Sequence, residues 1–174
     1  MTTCAYANGV LASDSRITKG STICQREAQK VFDGEKVMVA IAGSYAVCLI
    51  IVDWVLSGER SSERPDLSDF KDHDIGVLVV DKKTKECWEY ESVDLIPVPS
   101  AEPMTLGSGD IPALASMITM QELGCDMNPI LAIKIASMVD VFTDDNIQFI
   151  DINPKEEIEV PKKVKKKAKK KVKK

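Results

Sequence analysis

From residue 3 to residue 153 the chain alternates between short runs with a two-residue apolar period and three stretches of helical spacing. Thr3 to Asn8 and Val10 to Ser13 read as strands joined by Asn8-Gly9, the strongest two-residue hairpin signal, so Asp14 returns to the end of the sheet where the chain starts. The polar stretch Thr18 to Thr22 predicts a plain connection. Lys30 to Phe32 and Val37 to Ala42 predict a second hairpin through Asp33-Gly34. Val37 to Leu56 is twenty residues with Asp53 alone charged, close to a bilayer-spanning length. Gly43-Ser44 interrupts that run, and Ala46, Leu49, Ile50 and Trp54 follow at helical spacing, so a buried strand and then a buried helix are expected, and no membrane span.

Residues 57–73 are polar and broken by Gly58 and Pro65, which predicts an exposed excursion. Ile75 to Asp81 and Glu86 to Tyr90 form a hairpin pattern around Lys82 to Lys85, and Val93 to Val98 reads as an edge strand ended by Pro97 and Pro99. Asp110 is placed to cap a helix to about Leu123, with Pro112 in its first turn. Asn128-Pro129 supplies a cap and a first-turn proline for a helix to Val139, antiparallel to the one before, and Ile147 to Ile152 gives a last strand. Two antiparallel sheets with helices outside them make an α+β layered domain over residues 1–153. Residues 154–174 form a Lys-rich tail whose Val164, Ala168 and Val172 are too sparse to pack a core, so it is expected to be disordered.

Charge changes this picture in one respect. The net charge of −4 conceals ten lysines without an acid in residues 162–174, which leaves the other 161 residues with 13 basic and 27 acidic side chains, a net −14. The five cysteines are odd in number and lack metal-ligand spacing, and no signal peptide is evident, so a reduced, cytoplasmic protein is expected. With His73 the only histidine, in a polar segment, serine–histidine and cysteine–histidine catalysis and multi-histidine metal sites are excluded. A different base is needed, and Thr2 offers one. Removal of Met1, which the small second residue permits, would leave a threonine whose own α-amine, with a reference pKa of about 7.7–8.0, sits beside its hydroxyl.

Thr2, Asp14-Ser15-Arg16 after the first hairpin, Lys30, Ala42-Gly43, Gly107-Ser108-Gly109 opening a helix and Asp140-Val141-Phe142-Thr143 after the next occur in one order. Together they resemble the proteasome β-subunit family of N-terminal nucleophile hydrolases, its bacterial HslV branch most closely, over residues 2 to about 152. The resemblance implies a four-layer αββα sandwich and a threonine-type endopeptidase enclosed in a ring of its own copies. It further implies that Thr2 Oγ attacks the scissile carbonyl, with the α-amine taking the proton and Lys30, held by Asp14, keeping a positive charge beside them. The N–H of Gly43 would stabilise the oxyanion, and Ser108 and Asp140, with Thr143 behind, would support the amine. Ile17, Ala28, Phe32, Ile41 and Tyr45 match the family's specificity pocket and imply cleavage after apolar residues. The carbonyls of Ser137, Asp140 and Thr143 match a loop that holds a structural monovalent or divalent cation; no cofactor is required.

The chain also departs from the family pattern. Between Gly43 and Ile75 the polar 57–73 segment replaces a further stretch of helix, and the lysine tail is additional. Implied partners are other copies of the chain, an HslU-like ATPase, and peptides or unfolded proteins as substrates. The rival reading is a non-catalytic assembly protein on the same scaffold, or a nucleic-acid tether whose tail lysines bind phosphates.

Overall fold

The computed structural model describes residues 2–58 and 64–153. The Lys-rich tail expected from residue 154 on, and part of the polar 57–73 excursion, lie outside the described residues. The first hairpin, β1 (Thr3–Ala7) and β2 (Val10–Asp14), turns at Asn8 and Gly9 with φ of 52° and 75°. Both central residues are left-handed, as a tight two-residue hairpin turn requires and as Asn-Gly accepts at least cost.

A small hairpin follows, β3 (Ile17–Lys19) and β4 (Thr22–Gln25), where the sequence predicts only a connection. Next come β5 (Val31–Asp33), β6 (Val37–Gly43), α1 (Tyr45–Leu56), β7 (Ile75–Asp81), β8 (Cys87–Tyr90) and β9 (Val98–Ser100). The edge strand is therefore β9, over residues that begin where the expected 93–98 strand ends. Leu95 lies in a turn with a left-handed backbone and a fully buried side chain, so it anchors the loop there instead of continuing a strand. β10 (Met104–Gly107), α2 (Asp110–Glu122), α3 (Pro129–Ala136) and β11 (Ile147–Asp151) complete the chain. The α3 cap forms as expected, with Asn128 Oδ1 accepting from Leu131 N–H at 3.1 Å, though the helix ends at Ala136 and not at Val139.

One sheet runs β10-β1-β2-β11 and the other β5-β6-β7-β8-β9, antiparallel throughout. Period-two alternation sends Cys4, Tyr6 and Leu11 of the first sheet against Met38, Ala40, Leu78 and Val80 of the second. The opposite faces are apolar as well. Ala5, Ala7 and Ala12 pack under Ala113, Met117, Ala132 and Ile133 of α2 and α3, while Val39, Ile41, Val77 and Val79 pack under Val47, Ile51 and Trp54 of α1. The order of layers is helices, sheet, sheet, helix: an αββα sandwich. No helix among the described residues is long and apolar enough to cross a membrane.

The small alanines of β1 and β2 bring α2 and α3 close to their sheet, and α2 has only Ala113 and Met117 buried. Met117 is therefore the one large side chain that fixes α2 to the sheet. Met117→Ala is expected to lower unfolding free energy by about 2–5 kcal/mol, the range for deleting a large buried apolar side chain. Urea denaturation of the variant against the parent chain measures it.

Candidate active site

Pairing in the first sheet fixes where the terminus lies. Cys4 faces Ser13 across the β1–β2 hairpin, so one position further on Thr3 meets Asp14, and Thr3 N–H donates to Asp14 Oδ1 at 2.9 Å. On the other side Thr3 faces Gly107 of β10, and Ser108 N–H donates to Thr2 O at 2.8 Å. Gly107 has φ +95°, and a Cβ there would fall inside van der Waals contact of Thr2 O, so only glycine lets β10 close on the terminal residue. Thr2 is 5% exposed, clamped between β2 and β10 at the end of the sandwich.

Beneath it lies a buried ion pair. Lys30 Nζ donates to Asp14 Oδ1 at 3.0 Å and to the carbonyl of Arg16, with the two side chains 1% and 0% exposed. Arg16 N–H donates to Asp14 Oδ2 at 3.1 Å, so the carboxylate accepts from an ammonium and two amides. Burial pushes the Asp14 carboxyl above its ordinary value, and Lys30 and these amides oppose the shift. The backbone of Lys30 is fixed too, its N–H donating to Gln148 Oε1 at 3.1 Å and its carbonyl accepting from Ile41 N–H at 3.1 Å.

A second polar chain runs behind β1. Gly109 N–H donates to Thr3 Oγ1 at 3.0 Å, Thr3 and Thr143 share a hydroxyl hydrogen bond of 2.5 Å, and Asp140 Oδ2 accepts from Thr143 Oγ1 at 2.5 Å and Ser108 Oγ at 2.7 Å. Burial pushes the Asp140 carboxyl up, but the hydrogen bonds from Thr143, Ser108 and Phe142 N–H outweigh it and hold the group below its ordinary value. Ser108, Asp140 and Thr143 thus form one network, reached through Thr3, a residue to which the sequence gives no role.

Thr2 borders two clefts. The first, of about 170 Å³, is walled by Ile17, Thr18, Ile41, Tyr45 and Cys48, with Gly43 at its rim. Gly43 ends β6 with φ +95°, and a Cβ there would collide with the carbonyl of Asp74, so this position is glycine by backbone necessity. Of the five expected pocket residues, Ile17, Ile41 and Tyr45 line this cleft and Ala28 and Phe32 do not. Ala28 is fully buried, with its N–H on Ser15 O at 2.9 Å and its carbonyl on Gln148 Nε2 at 2.6 Å. Phe32 packs against the core beneath α1, on the face of its strand opposite to Val31, which points between the sheets. The second cleft, of about 340 Å³, shares Thr2, Ala42 and Gly43 and continues past Asp74, Gly76, Leu106 and Glu89. Glu89 is 7% exposed, and burial, followed by the charge of Glu91, pushes its carboxyl up to about 7. Its sequence signal is an acid in a strand whose neighbours Cys87, Trp88 and Tyr90 are apolar on both faces.

Ser137, Asp140 and Thr143, the residues matched to a cation loop, do line one depression, together with Arg16, Lys134, Asp144 and Asp145. Among the described residues no three His, Cys, Asp or Glu side chains come together as metal ligands, so an ion here would depend on carbonyls, and that of Asp140 already accepts from Thr143 N–H at 3.2 Å.

No family model matches the chain, and no curated protein matches it by sequence. Solved structures do match. The HslV of Trypanosoma brucei superposes with a TM-score of 0.67 at 16% identity, over 86% of this chain and 97% of that one. The BPH protein of Thiobacillus denitrificans does so in complex with epoxomicin (TM-score 0.64, 16% identity, 88% and 99% coverage) and in a second structure (0.63, 16%, 88% and 98%). An αββα sandwich matched over nearly the full length of these chains shows that this chain has the HslV/proteasome β-subunit-like fold.

Proposed function

We propose that the chain is a threonine-type endopeptidase whose nucleophile is Thr2 after removal of Met1. The observation that carries this reading is the buried Lys30–Asp14 pair: Asp14 Oδ1 holds both the ammonium and the Thr3 N–H, which sets a fully desolvated positive charge one residue from the terminus. Thr2 Oγ attacks the peptide carbonyl, and its proton passes to the α-amine, directly or through a water. The nearby ammonium lowers the amine pKa and favours the alkoxide. Gly43, on the rim of the first cleft, turns its N–H to the oxyanion, and close approach there meets no side chain. The protonated amine then gives its proton to the leaving nitrogen, leaving an ester on Thr2 that water hydrolyses with the amine again as base. Ser108 and Asp140 hold the amine side of the site, and Ile17, Ile41 and Tyr45 present an apolar wall that favours cleavage after apolar residues. The Ser137, Asp140 and Thr143 carbonyls would hold a cation in a structural role, and no step is assigned to it.

The structural neighbours support ring assembly, and the outer surface of α2, α3 and the loop after it agrees. Ile111, Leu123, Met138, Val139 and Val141 are 75%, 75%, 72%, 69% and 76% exposed, an apolar concentration that a second copy would cover. Peptides and unfolded chains are the proposed substrates, and folded proteins would need an unfolding partner such as an HslU-like ATPase. The rival reading, a tether acting through the lysine tail, gives no reason for a buried lysine beside Thr2.

Four outcomes are expected. Thr2→Ala, or an uncleavable residue placed before Thr2, abolishes cleavage of apolar fluorogenic peptides while Thr2→Ser keeps part of it; turnover by the Ala variant removes Thr2 from the mechanism. Lys30→Met strands the Asp14 charge and costs about 3–5 kcal/mol of stability in denaturant titration. The double variant Lys30→Met, Asp14→Asn recovers most of that stability without recovering peptidase activity, whereas an active double variant would make the pair purely structural. Sedimentation is expected to show a closed oligomer, and a monomer at micromolar concentration would contradict the ring.

A further inference from the structure

The two clefts that meet at Thr2 differ in charge. The first has no acidic or basic side chain in its wall. The second has two acids, Asp74 at an exposed position and Glu89 deep within, and neither cleft has a lysine or arginine. Alternation along β8 explains how Glu89 came to point inward. Trp88 and Tyr90 pack toward α1, so Cys87 and Glu89 face the space between the sheets, with Glu89 opposite Leu78 in the register of β7. Gly76, two residues before Leu78 on the same face, has no side chain to fill the gap beside Ala42 and Leu106. A cleft is left open between the Glu89 carboxyl and Thr2.

Nothing among the described residues answers that carboxyl. It has neither a hydrogen-bond donor nor a counter-ion, and the one charge felt there, Glu91, is of the same sign. Glu89 is mostly buried, but its carboxyl is not sealed off and opens onto the cleft. A carboxyl with no protein partner facing a cleft beside a nucleophile is placed to be completed by a ligand. We propose that the second cleft takes the residue on the leaving-amine side of the scissile bond, and that Glu89 selects a lysine or arginine there. The inference rests on the peptidase reading above, in which the first cleft takes the acyl side. Cleavage would then fall between an apolar residue and a basic one.

The selection depends on the ionised form of Glu89. The charged or titratable groups around it are Cys87 on the same face of β8, whose thiol is pushed up by burial, Glu91 on its own side of the fold, Asp74 at the cleft and the α-amine of Thr2. β6, β9 and β10 bring none, and β7 brings only Asp81 at its far end. With its carboxyl pushed up to about 7, Glu89 is mostly protonated at pH 6 and mostly ionised at pH 8, so preference for a cation should grow across that interval.

The test uses the full chain and internally quenched peptides that share an apolar acyl side and differ only in the first leaving-side residue: lysine, norleucine or glutamate. At pH 8 the kcat/KM for lysine is expected to exceed that for norleucine by about tenfold or more, the scale of a charge-assisted hydrogen bond, with glutamate the poorest. The lysine-to-norleucine ratio should shrink at pH 6 and fall to about one in Glu89→Gln and Glu89→Met; whichever of these keeps the parent melting temperature decides. A ratio near one in the parent chain, a preference that survives in the variants, or an equal loss on all three peptides would overturn the assignment. The last outcome would mean that Glu89 acts through Thr2 and not on substrate. A coumarin amide of the same acyl sequence has no leaving-side residue, so its turnover tests the peptidase reading alone. If it is cleaved and no lysine preference appears, this inference fails and that reading stands; if neither substrate type is cleaved, both fall.

Discussion

Burying the ammonium of Lys30 and the carboxylate of Asp14 together costs several kcal/mol per ion before their attraction is counted, and only good geometry offsets it. The fold around them meets that condition. Asp14 ends β2, where hairpin register fixes it against Thr3, and Lys30 opens onto β5, with its N–H and carbonyl tied to Gln148 and Ile41. Strands from both sheets therefore converge on one ion pair. Exchanging the pair for apolar residues of similar volume would in general be neutral or stabilising, so stability alone does not account for its presence.

The same convergence limits the backbone. Gly43 and Gly107 both lie at φ +95°, and at both a Cβ would collide with a neighbouring carbonyl, that of Asp74 in one case and that of Thr2 in the other. These glycines end the strands that flank the terminus, one from each sheet. The open end of the sandwich is thus built from two strand ends that approach too closely for any side chain, and the space left between them becomes the clefts.

Much of this was legible in the sequence where local chemistry decides the outcome. Asn8-Gly9 fixes its turn, Asn128-Pro129 its helix start, and the spacing from Asp14 to Lys30 survives because both sit at strand ends pinned by register. What was not legible depends on partners distant in the chain. β10 is the four residues Met104–Gly107, between Pro103 and Ser108, and looks like a loop until β1, about a hundred residues earlier, pairs with it. The β3–β4 hairpin is largely exposed, so it carries no apolar alternation to betray it. Ala28 and Phe32 match the pocket only through the family resemblance, and tertiary hydrogen bonds seal the one while strand alternation turns the other toward α1. Glu89 shows in the sequence only as an acid among the apolar neighbours Cys87, Trp88 and Tyr90, and that its side chain is interior depends on the packing of the two sheets.

The central claim is that a free amine and hydroxyl on one residue, Thr2, perform acyl transfer beside the buried ammonium. Its most direct test is chemical trapping with an apolar β-lactone, whose ring opens on a hydroxyl nucleophile to leave a stable ester. Tandem mass spectrometry of the trapped protein should find a chain that begins at Thr2 and carries one acyl group on that residue. A chain that still begins at Met1, or an acyl group on any other side chain, would contradict the account.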